Sequence, residues 1–148
     1  MCIRDSNTPT VDTAGWNLPY LSKCLDIEEQ VVFTPYIDFF TPTEVELNRV
    51  YNCWDVHVTA SSGEGFCLPV LETMALGKPQ IATDYSALPE VIGDAGILVP
   101  VREYVWENLG RRALVDIDLL AASMRKVYED SGLRREPVSY THLTLPTN

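Results

Sequence analysis

One segment, Ser61-Ser62-Gly63-Glu64-Gly65-Phe66-Cys67-Leu68-Pro69-Val70-Leu71-Glu72, narrows the folds open to this chain more than any other. A strand-like run, Asp55-Val56-His57-Val58-Thr59, leads into it, and Gly63 and Gly65 bracket a glutamate in the loop that follows. Glycines there let backbone come close to a ligand and accept unusual dihedrals. Pro69 suits the first turn of a helix, where its missing N–H would have no helical partner. Glu72 follows one turn in, so its side chain can lean back toward the loop. Strand, polar loop, helix N-terminus and carboxylate, in that order, describe a ligand site at the carboxyl edge of a parallel sheet. Helix amides can hold an anion there, and carboxylates can accept hydrogen bonds from hydroxyls.

The rest of the chain repeats the alternation. Leu18 to Leu25 reads as a short amphipathic helix and Val31-Val32-Phe33-Thr34 as a strand. Thr43 is a good N-cap for a helix through Cys53, with Glu46 three residues on to complete a capping box. Asp55 to Ala60 is apolar enough for a strand buried on both faces. A helix spans Pro69 to Leu76 and stops at Gly77. Gln80 to Thr83 is a third strand. Ser86 is placed to cap a turn over Leu88 to Ile92, and Gly93-Asp94-Ala95-Gly96 leads to a last strand, Ile97 to Val99. Residues 101–115 read as irregular, with helical character from Glu103 to Leu109. Asp116 to Asp130 is a final helix with Leu119, Leu120, Met124 and Val127 on one side. Strands alternating with helices predict an α/β, Rossmann-like parallel sheet with right-handed crossovers and helices on its flanks.

Charge excludes one class of partner. The 148 residues carry a formal net charge of −10, and all of it lies in residues 1–100, where Arg4, Lys23, Arg49 and Lys78 face fourteen acids. Such a surface argues against nucleic acid. A nucleotide in one pocket remains open, because local amides and dipoles decide that. The later basic pairs Arg111-Arg112, Arg125-Lys126 and Arg134-Arg135 read mainly as solvated helix faces, with peripheral contact to an anionic membrane as the other use. No apolar run approaches the roughly 20 residues of a membrane helix, and no signal peptide is recognisable. Cys2, Cys24, Cys53 and Cys67 lack zinc-site spacing. The last three sit in apolar contexts and read as buried thiols, which points to a cytoplasmic setting, with association at the cytoplasmic face of a membrane as the variant.

The ends differ from the middle. Residues 1–10 show no clear periodicity, and the Ser/Thr-rich stretch 137–148 follows a polar break. Both resemble translated sequencing-adapter sequence and are set aside from the fold, which leaves residues 11–136 as one partial domain.

Taken singly, the site residues have plain explanations. A glutamate in a first helical turn can simply complement the dipole, and Gly-Glu-Gly can simply be a turn. His57, mid-strand, reads as a packing residue, since no nucleophile motif accompanies it. Tyr51 and Trp54 follow the helical period and read as core; Trp16 and Trp106 fit core or surface. Asp84 reads as a turn residue and Glu90 as support for the neighbouring loop. Gly-Lys-Pro around Lys78 is no Walker loop.

The constellation is more specific. Glu64 to Glu72 resembles the E-x7-E motif of the family 4 (group 1) retaining glycosyltransferases of the GT-B fold. The likeness continues through Ala75, Gly77, Pro79, Thr83-Asp84, Ser86 to Val91 and Gly93 to Val99, and reaches back to Leu47, Tyr51-Asn52 and Asp55. It implies part of a C-terminal, donor-binding domain that takes a nucleotide-diphosphate sugar as substrate. By that resemblance Glu64 lies at the donor sugar and its reacting carbon, and Glu72 contacts ribose hydroxyls. Gly65 and Phe66 line the sugar, and Leu68, Pro69 and Val70 approach the diphosphate through the amides of Leu68, Val70 and Leu71. Cys67 stands where the family more often has glycine. The family's diphosphate-binding Arg and Lys have no counterpart here, and Lys23 is in the wrong context to replace them. The acceptor is a glycan, a lipid or a small molecule. The resemblance implies no metal or other cofactor, and a fragment inactive by itself. Two other readings stand behind it: a nucleotide-binding or interaction module without chemistry, and a two-carboxylate glycoside hydrolase.

Overall fold

The computed structural model describes residues 3–5, 17–33, 43–107 and 110–134. The chain divides into two compact units, Met1–Trp54 and Asp55–Asn148.

In the first unit, β1 (Ile3–Asp5) pairs in parallel with β2 (Val31–Phe33). A paired strand thus lies inside the segment set aside on sequence grounds. Between the two runs α1 (Leu18–Cys24), whose N-terminus the Asn17 side chain caps by accepting from the Tyr20 N–H at 2.9 Å. The fourth element, α2 (Glu44–Asn52), begins at the expected capping box. The Thr43 N–H and hydroxyl both donate to Glu46 at 2.9 Å, and these bonds hold the Glu46 carboxyl below its usual range. Tyr51 is buried against half-buried Trp54, ring centroids 4.8 Å apart. Cys24 and Cys53 are exposed, not buried as expected. Each lies at the end of a short helix, on the solvent side of a last turn whose buried position is taken by Ser22 in α1 and Tyr51 in α2. Thr34, Trp16 and Cys2 lie outside the described residues.

The second unit is built on a parallel sheet of β3 (His57–Thr59), β4 (Gln80–Thr83) and β5 (Gly96–Val99), in the order β3-β4-β5. Helix α3 (Leu68–Ala75) connects β3 to β4, and α4 (Leu88–Ile92) connects β4 to β5. The middle strand, β4, is buried at all four positions. Strand alternation then sorts the cores. Ala82 joins Val70, Met74, Leu88 and Ile92 under α3 and α4. Ile81 and Val99 face the other way, toward Val127, Leu120 and Met124 of α5 (Ile117–Glu129). Asp116 caps α5, accepting from the Leu119 N–H at 3.0 Å. At the far end Arg134 donates to the carbonyls of Val127 and Tyr128.

Three expectations need correction here. β3 is half-buried, because it lies at the side of the described sheet with β4 on one flank only. Leu119 is 47% exposed; Leu120, Met124 and Val127 carry the stripe, and Leu119 sits about 100° round the helix from its neighbour. The largest departure is at residues 101–115, which are neither irregular nor helical. They form an antiparallel hairpin of β6 (Val101–Glu107) and β7 (Gly110–Val115), bulged between Val101 and Glu103. Val99 therefore does not end the strands. Arg111 and Arg112 lie on β7 rather than on a helix face, whereas Arg125 and Lys126 are exposed on α5 as expected. Leu109 lies outside the described residues.

A polar network ties β3, β4 and α3 together beneath the loop. Gln80 Nε2 donates to Thr73 Oγ1 at 3.1 Å and to the Lys78 carbonyl at 2.8 Å. Its Oε1, 2.8 Å from His57 Nδ1, is left to accept, which places the imidazole proton on Nδ1. Burial lowers the His57 pKa below its ordinary 6.5, and the Gln80 hydrogen bond only partly opposes this.

Two substitutions at the sheet should act in opposite directions. A Cβ at Gly96 would lie 2.7 Å from the Gln80 carbonyl oxygen and 2.9 Å from Ile92 Cγ2. Gly96→Ala is expected to lower unfolding free energy by about 2 kcal/mol or more in urea titration. The Thr83 hydroxyl is fully buried with no hydrogen-bond partner among the described residues, so Thr83→Val should be neutral or stabilising by up to about 1 kcal/mol. His57 supplies a pH test. Its folded pKa lies below the unfolded 6.5, so the unfolded chain binds the extra proton. Stability should fall as pH drops from about 7.5 to 5.5, and His57→Gln should flatten that slope.

Candidate functional site

The loops that follow β3, β4 and β5 all leave the carboxyl edge of one parallel sheet, and hydrogen bonds join them. The first is Ala60 to Cys67. Within it Ser61 Oγ lies 3.3 Å from the Gly63 carbonyl and 3.4 Å from the Gly63 N–H, closing a tight turn. The second is Asp84 to Ala87. Its Ser86 does not cap α4 as expected: the N-cap is Ala87, which makes no side-chain bond. Ser86 instead takes a left-handed backbone, φ 61°, and turns its hydroxyl to Glu64. There it accepts from the Glu64 N–H at 3.3 Å and donates to the Glu64 carbonyl. The backbone of the loop glutamate is thus gripped on both polar groups by one serine 22 residues away.

The third connection is the hairpin. The Ala113 N–H donates to the Ser62 carbonyl at 2.9 Å. A Cβ placed on Gly63 would lie 3.2 Å from Arg112 Nη1 and 3.8 Å from Tyr85 Cε1, so this glycine gives up its side-chain space to a guanidinium and a phenol ring. Tyr85 also donates its hydroxyl to the Arg111 carbonyl at 3.0 Å. Serine, tyrosine and hairpin together hold the Ser62–Glu64 backbone.

The loop enters α3 through Cys67, whose φ of 64° and ψ of 72° are left-handed. That conformation usually costs a non-glycine residue about 1 kcal/mol or more, and glycine is what the resembling family more often places here. Burial, first, and then the nearby Glu64 charge push the Cys67 thiol above its usual pKa, while the Val70 N–H and the Thr59 hydroxyl pull the other way. The thiol makes no capping bond to the helix.

The expected site residues divide by position. Glu64 and Cys67 are half-buried in or at the end of the loop, and Gly65, Phe66, Leu68 and Glu72 are exposed. Pro69 is half-buried in the first turn, with its carbonyl accepting from Thr73 Oγ1 at 2.7 Å. Val70 is the exception. Its side chain is fully buried in the core under α3, and its N–H is already bonded to the Cys67 carbonyl at 3.1 Å. It can shape the helix start, but its amide is not an idle donor. Ser86, Tyr85 and Arg112 escaped the sequence reading. The Arg111-Arg112 pair and the period-two pattern Tyr104-Val105-Trp106 were the available signals. Asp84 is exposed after β4, and its N–H donates to the Val99 carbonyl at 2.8 Å, which continues the pairing of β4 with β5. Among the described residues no group of three or more His, Cys, Asp or Glu side chains is placed to hold a metal ion, and no helix is long and apolar enough to cross a membrane.

A family model described as glycosyl transferases group 1 matches residues 5–130. The chain belongs to the group 1 glycosyltransferases. It is 30% identical over 120 residues to O-antigen chain mannosyltransferase B of Escherichia coli, a match covering 81% of this chain and 28% of that one. It is 38% identical over 64 residues to the serotype-specific mannosyltransferase WbdA of Escherichia coli, across 43% of this chain and 7% of that protein. The chain thus spans well under a third of the length of these curated relatives. Sucrose-phosphate synthase from Thermosynechococcus elongatus superposes with a TM-score of 0.66 over 92% of this chain and 31% of its own, at 21% identity. That likeness shows the fold, and the α/β parallel sheet flanked by helices is that of a GT-B glycosyltransferase.

Cys67 offers a direct readout of the loop. With its thiol pKa raised, iodoacetamide at pH 8 should modify Cys67 several-fold more slowly than exposed Cys24 and Cys53. Glu64→Gln removes the neighbouring negative charge and should speed Cys67 alkylation, as followed by peptide mass spectrometry. An unchanged rate would place the carboxylate away from the thiol.

Proposed function

We propose that the protein transfers a sugar from a nucleotide-diphosphate donor to an acceptor with retention of anomeric configuration, and that the Glu64 loop and the start of α3 form its donor site. The observation that carries this is the loop itself: a half-buried glutamate whose backbone is fixed by Ser86, directly before a helix whose first turn no side chain caps, in a chain of the group 1 glycosyltransferase family.

Each residue then has a task. The partial positive charge of the α3 N-terminus favours the donor diphosphate, with the amides of Leu68 and Leu71 as its donors and Val70 as packing. Gly65, where a Cβ would meet nothing within 4 Å, and exposed Phe66 leave room for the sugar. Glu64 stabilises positive charge at the anomeric carbon as the diphosphate leaves, or orients the sugar hydroxyls that share that charge. Glu72, exposed one turn into α3, accepts from ribose hydroxyls. The names of the two Escherichia coli relatives support a mannosyl donor, and the first supports a glycan chain as acceptor. Peripheral contact with the cytoplasmic face of a membrane, through basic residues, fits the same reading.

Ligand-observed NMR on the folded chain with UDP, GDP and ADP tests the donor site. One nucleotide should bind saturably, and Glu72→Gln should weaken it about tenfold, or ~1.4 kcal/mol. In the whole protein Glu64→Gln should cut turnover by about 100-fold or more while the nucleotide still binds. Nucleotide binding without any transfer in the whole protein would mark a binding module instead. Release of free sugar from a simple glycoside would mark a hydrolase.

A further inference from the structure

Resting on the donor-site reading above, we infer that Arg112 of β7 is a positioning residue for Glu64: its guanidinium occupies the side-chain space of Gly63 and locks the glycine pivot that precedes the glutamate. The neighbours of that pivot are anchored elsewhere. The Ser62 carbonyl is held by the Ala113 N–H, and the Glu64 N–H and carbonyl are held by Ser86. Gly63 lies between these anchors, and a glycine backbone turns more freely than any other. Its own polar bonds are weak restraints, since both go to Ser61 Oγ, at 3.3 and 3.4 Å. What packs on Gly63 therefore sets the turn into Glu64. A Cβ there would lie 3.2 Å from Arg112 Nη1 and 3.8 Å from Tyr85 Cε1. Gly63 does not have the positive φ of Gly77, Gly93 and Gly110, so its backbone would accept a side chain. The guanidinium, not the conformation, calls for glycine.

Register delivers this arginine and not its neighbour. Arg112 faces Val105 across the hairpin, whereas Arg111 faces Trp106. Alternate strand residues point to opposite faces, so the two arginines divide. Arg111 goes to the Tyr85 and Tyr104 rings, and Arg112, half-buried, goes to the loop. A guanidinium is planar and holds its shape when packed on backbone; a lysine ammonium on a flexible stem does not. The proposed chemistry needs such a support. A carboxylate that stabilises charge at the anomeric carbon must be in place before the charge develops. The nucleotide contacts proposed for Leu68, Leu71 and Glu72 lie beyond Cys67 in the chain and do not involve Gly63. Arg112 thus bears on turnover and not on nucleotide affinity.

Cys67 reports where the Glu64 carboxylate sits, because that charge helps to raise the thiol pKa. The test uses the 148-residue chain, checked for folding by circular dichroism, with iodoacetamide at pH 8 as probe. Glu64→Gln should speed Cys67 alkylation with Arg112 in place. In an Arg112→Met background the rate ratio between Glu64 and Gln at that position should fall to about one, while Cys24 and Cys53 keep their rates. Arg112→Lys, which keeps the charge without the planar fork, should behave like Arg112→Met. Gly63→Ala, which intrudes on the guanidinium, should abolish the ratio too and decides the matter if Arg112→Met does not fold. No acceleration with Arg112 present, an acceleration that persists without it, or full retention in Arg112→Lys overturns the inference. In the whole protein Arg112→Met should lower kcat for nucleoside diphosphate release from UDP-, GDP- or ADP-mannose about tenfold, with KM within about twofold; a change in KM alone overturns the inference. Glu64→Gln separates the two readings. If it spares turnover, the donor-site reading fails. If it cuts turnover and Arg112→Met does not, only this inference fails. Absence of turnover with all three donors removes the donor-site reading, and the alkylation ratio still decides whether Arg112 holds Glu64.

Discussion

The site depends on β4. Its four residues are buried on both faces and pair with a parallel strand on either side, so it fixes where the ends of β3 and β5 fall. Gly96 allows this spacing, because the Gln80 backbone occupies the room a side chain would take. With β4 in place, three connections emerge at one edge: the glutamate loop, the tyrosine–serine turn and the hairpin. None is long enough to form a core of its own. They are ordered by binding one another through Ser86 to Glu64, Tyr85 to Arg111 and Ala113 to Ser62. A loop carrying chemistry on a rigid scaffold is the common arrangement in α/β folds.

The same clamp explains why the loop tolerates an awkward helix entry. Cys67 adopts a left-handed conformation with a side chain, and Ser86 does so as well. Two such residues in two adjoining connections represent strain that surrounding bonds must overcome. At Ser86 the compensation is visible as a pair of hydrogen bonds to one peptide unit. At Cys67 it is burial of the thiol and the short Val70 to Cys67 bond that tightens the first turn. A sequence that spends stability in this way at a strand end holds a particular backbone shape there.

Much of this was legible in the sequence, and the limits are physical. A capping box announced α2, because a cap is a local interaction between a side chain and the next turn, and an apolar stripe announced α5. β4 was read correctly at Gln80–Thr83, although only Ile81 and Ala82 of its four buried residues are apolar; Gln80 is satisfied by hydrogen bonds that only the folded chain supplies. The hairpin stayed hidden because its strands are stabilised by each other and not by neighbours in sequence, while Glu103, Glu107 and Leu109 mimic a helical turn. Ser86 was misread for a related reason: a serine two residues before a helix is locally a cap, and only the folded chain brings Glu64 within reach. The E-x7-E spacing located the loop and the helix, yet it could not say that the Val70 amide was already in use.

Electrostatics link the hairpin to the loop. Between Asp55 and Pro100 the chain has Lys78 as its sole basic side chain, against acids that include Glu64, Glu72, Asp84, Glu90 and Asp94. A helix N-terminus supplies only about half a unit of positive charge, which such a surface would offset. The hairpin changes the balance. It brings Arg112 against Gly63, the residue before Glu64 in the chain, and Arg111 against Tyr85 and Tyr104. Full cationic charges then stand at the mouth of a half-buried loop, where they are screened less than on open surface. The extra strands after β5 therefore bring to the loop the cationic charge that residues 55–100 otherwise carry only at Lys78.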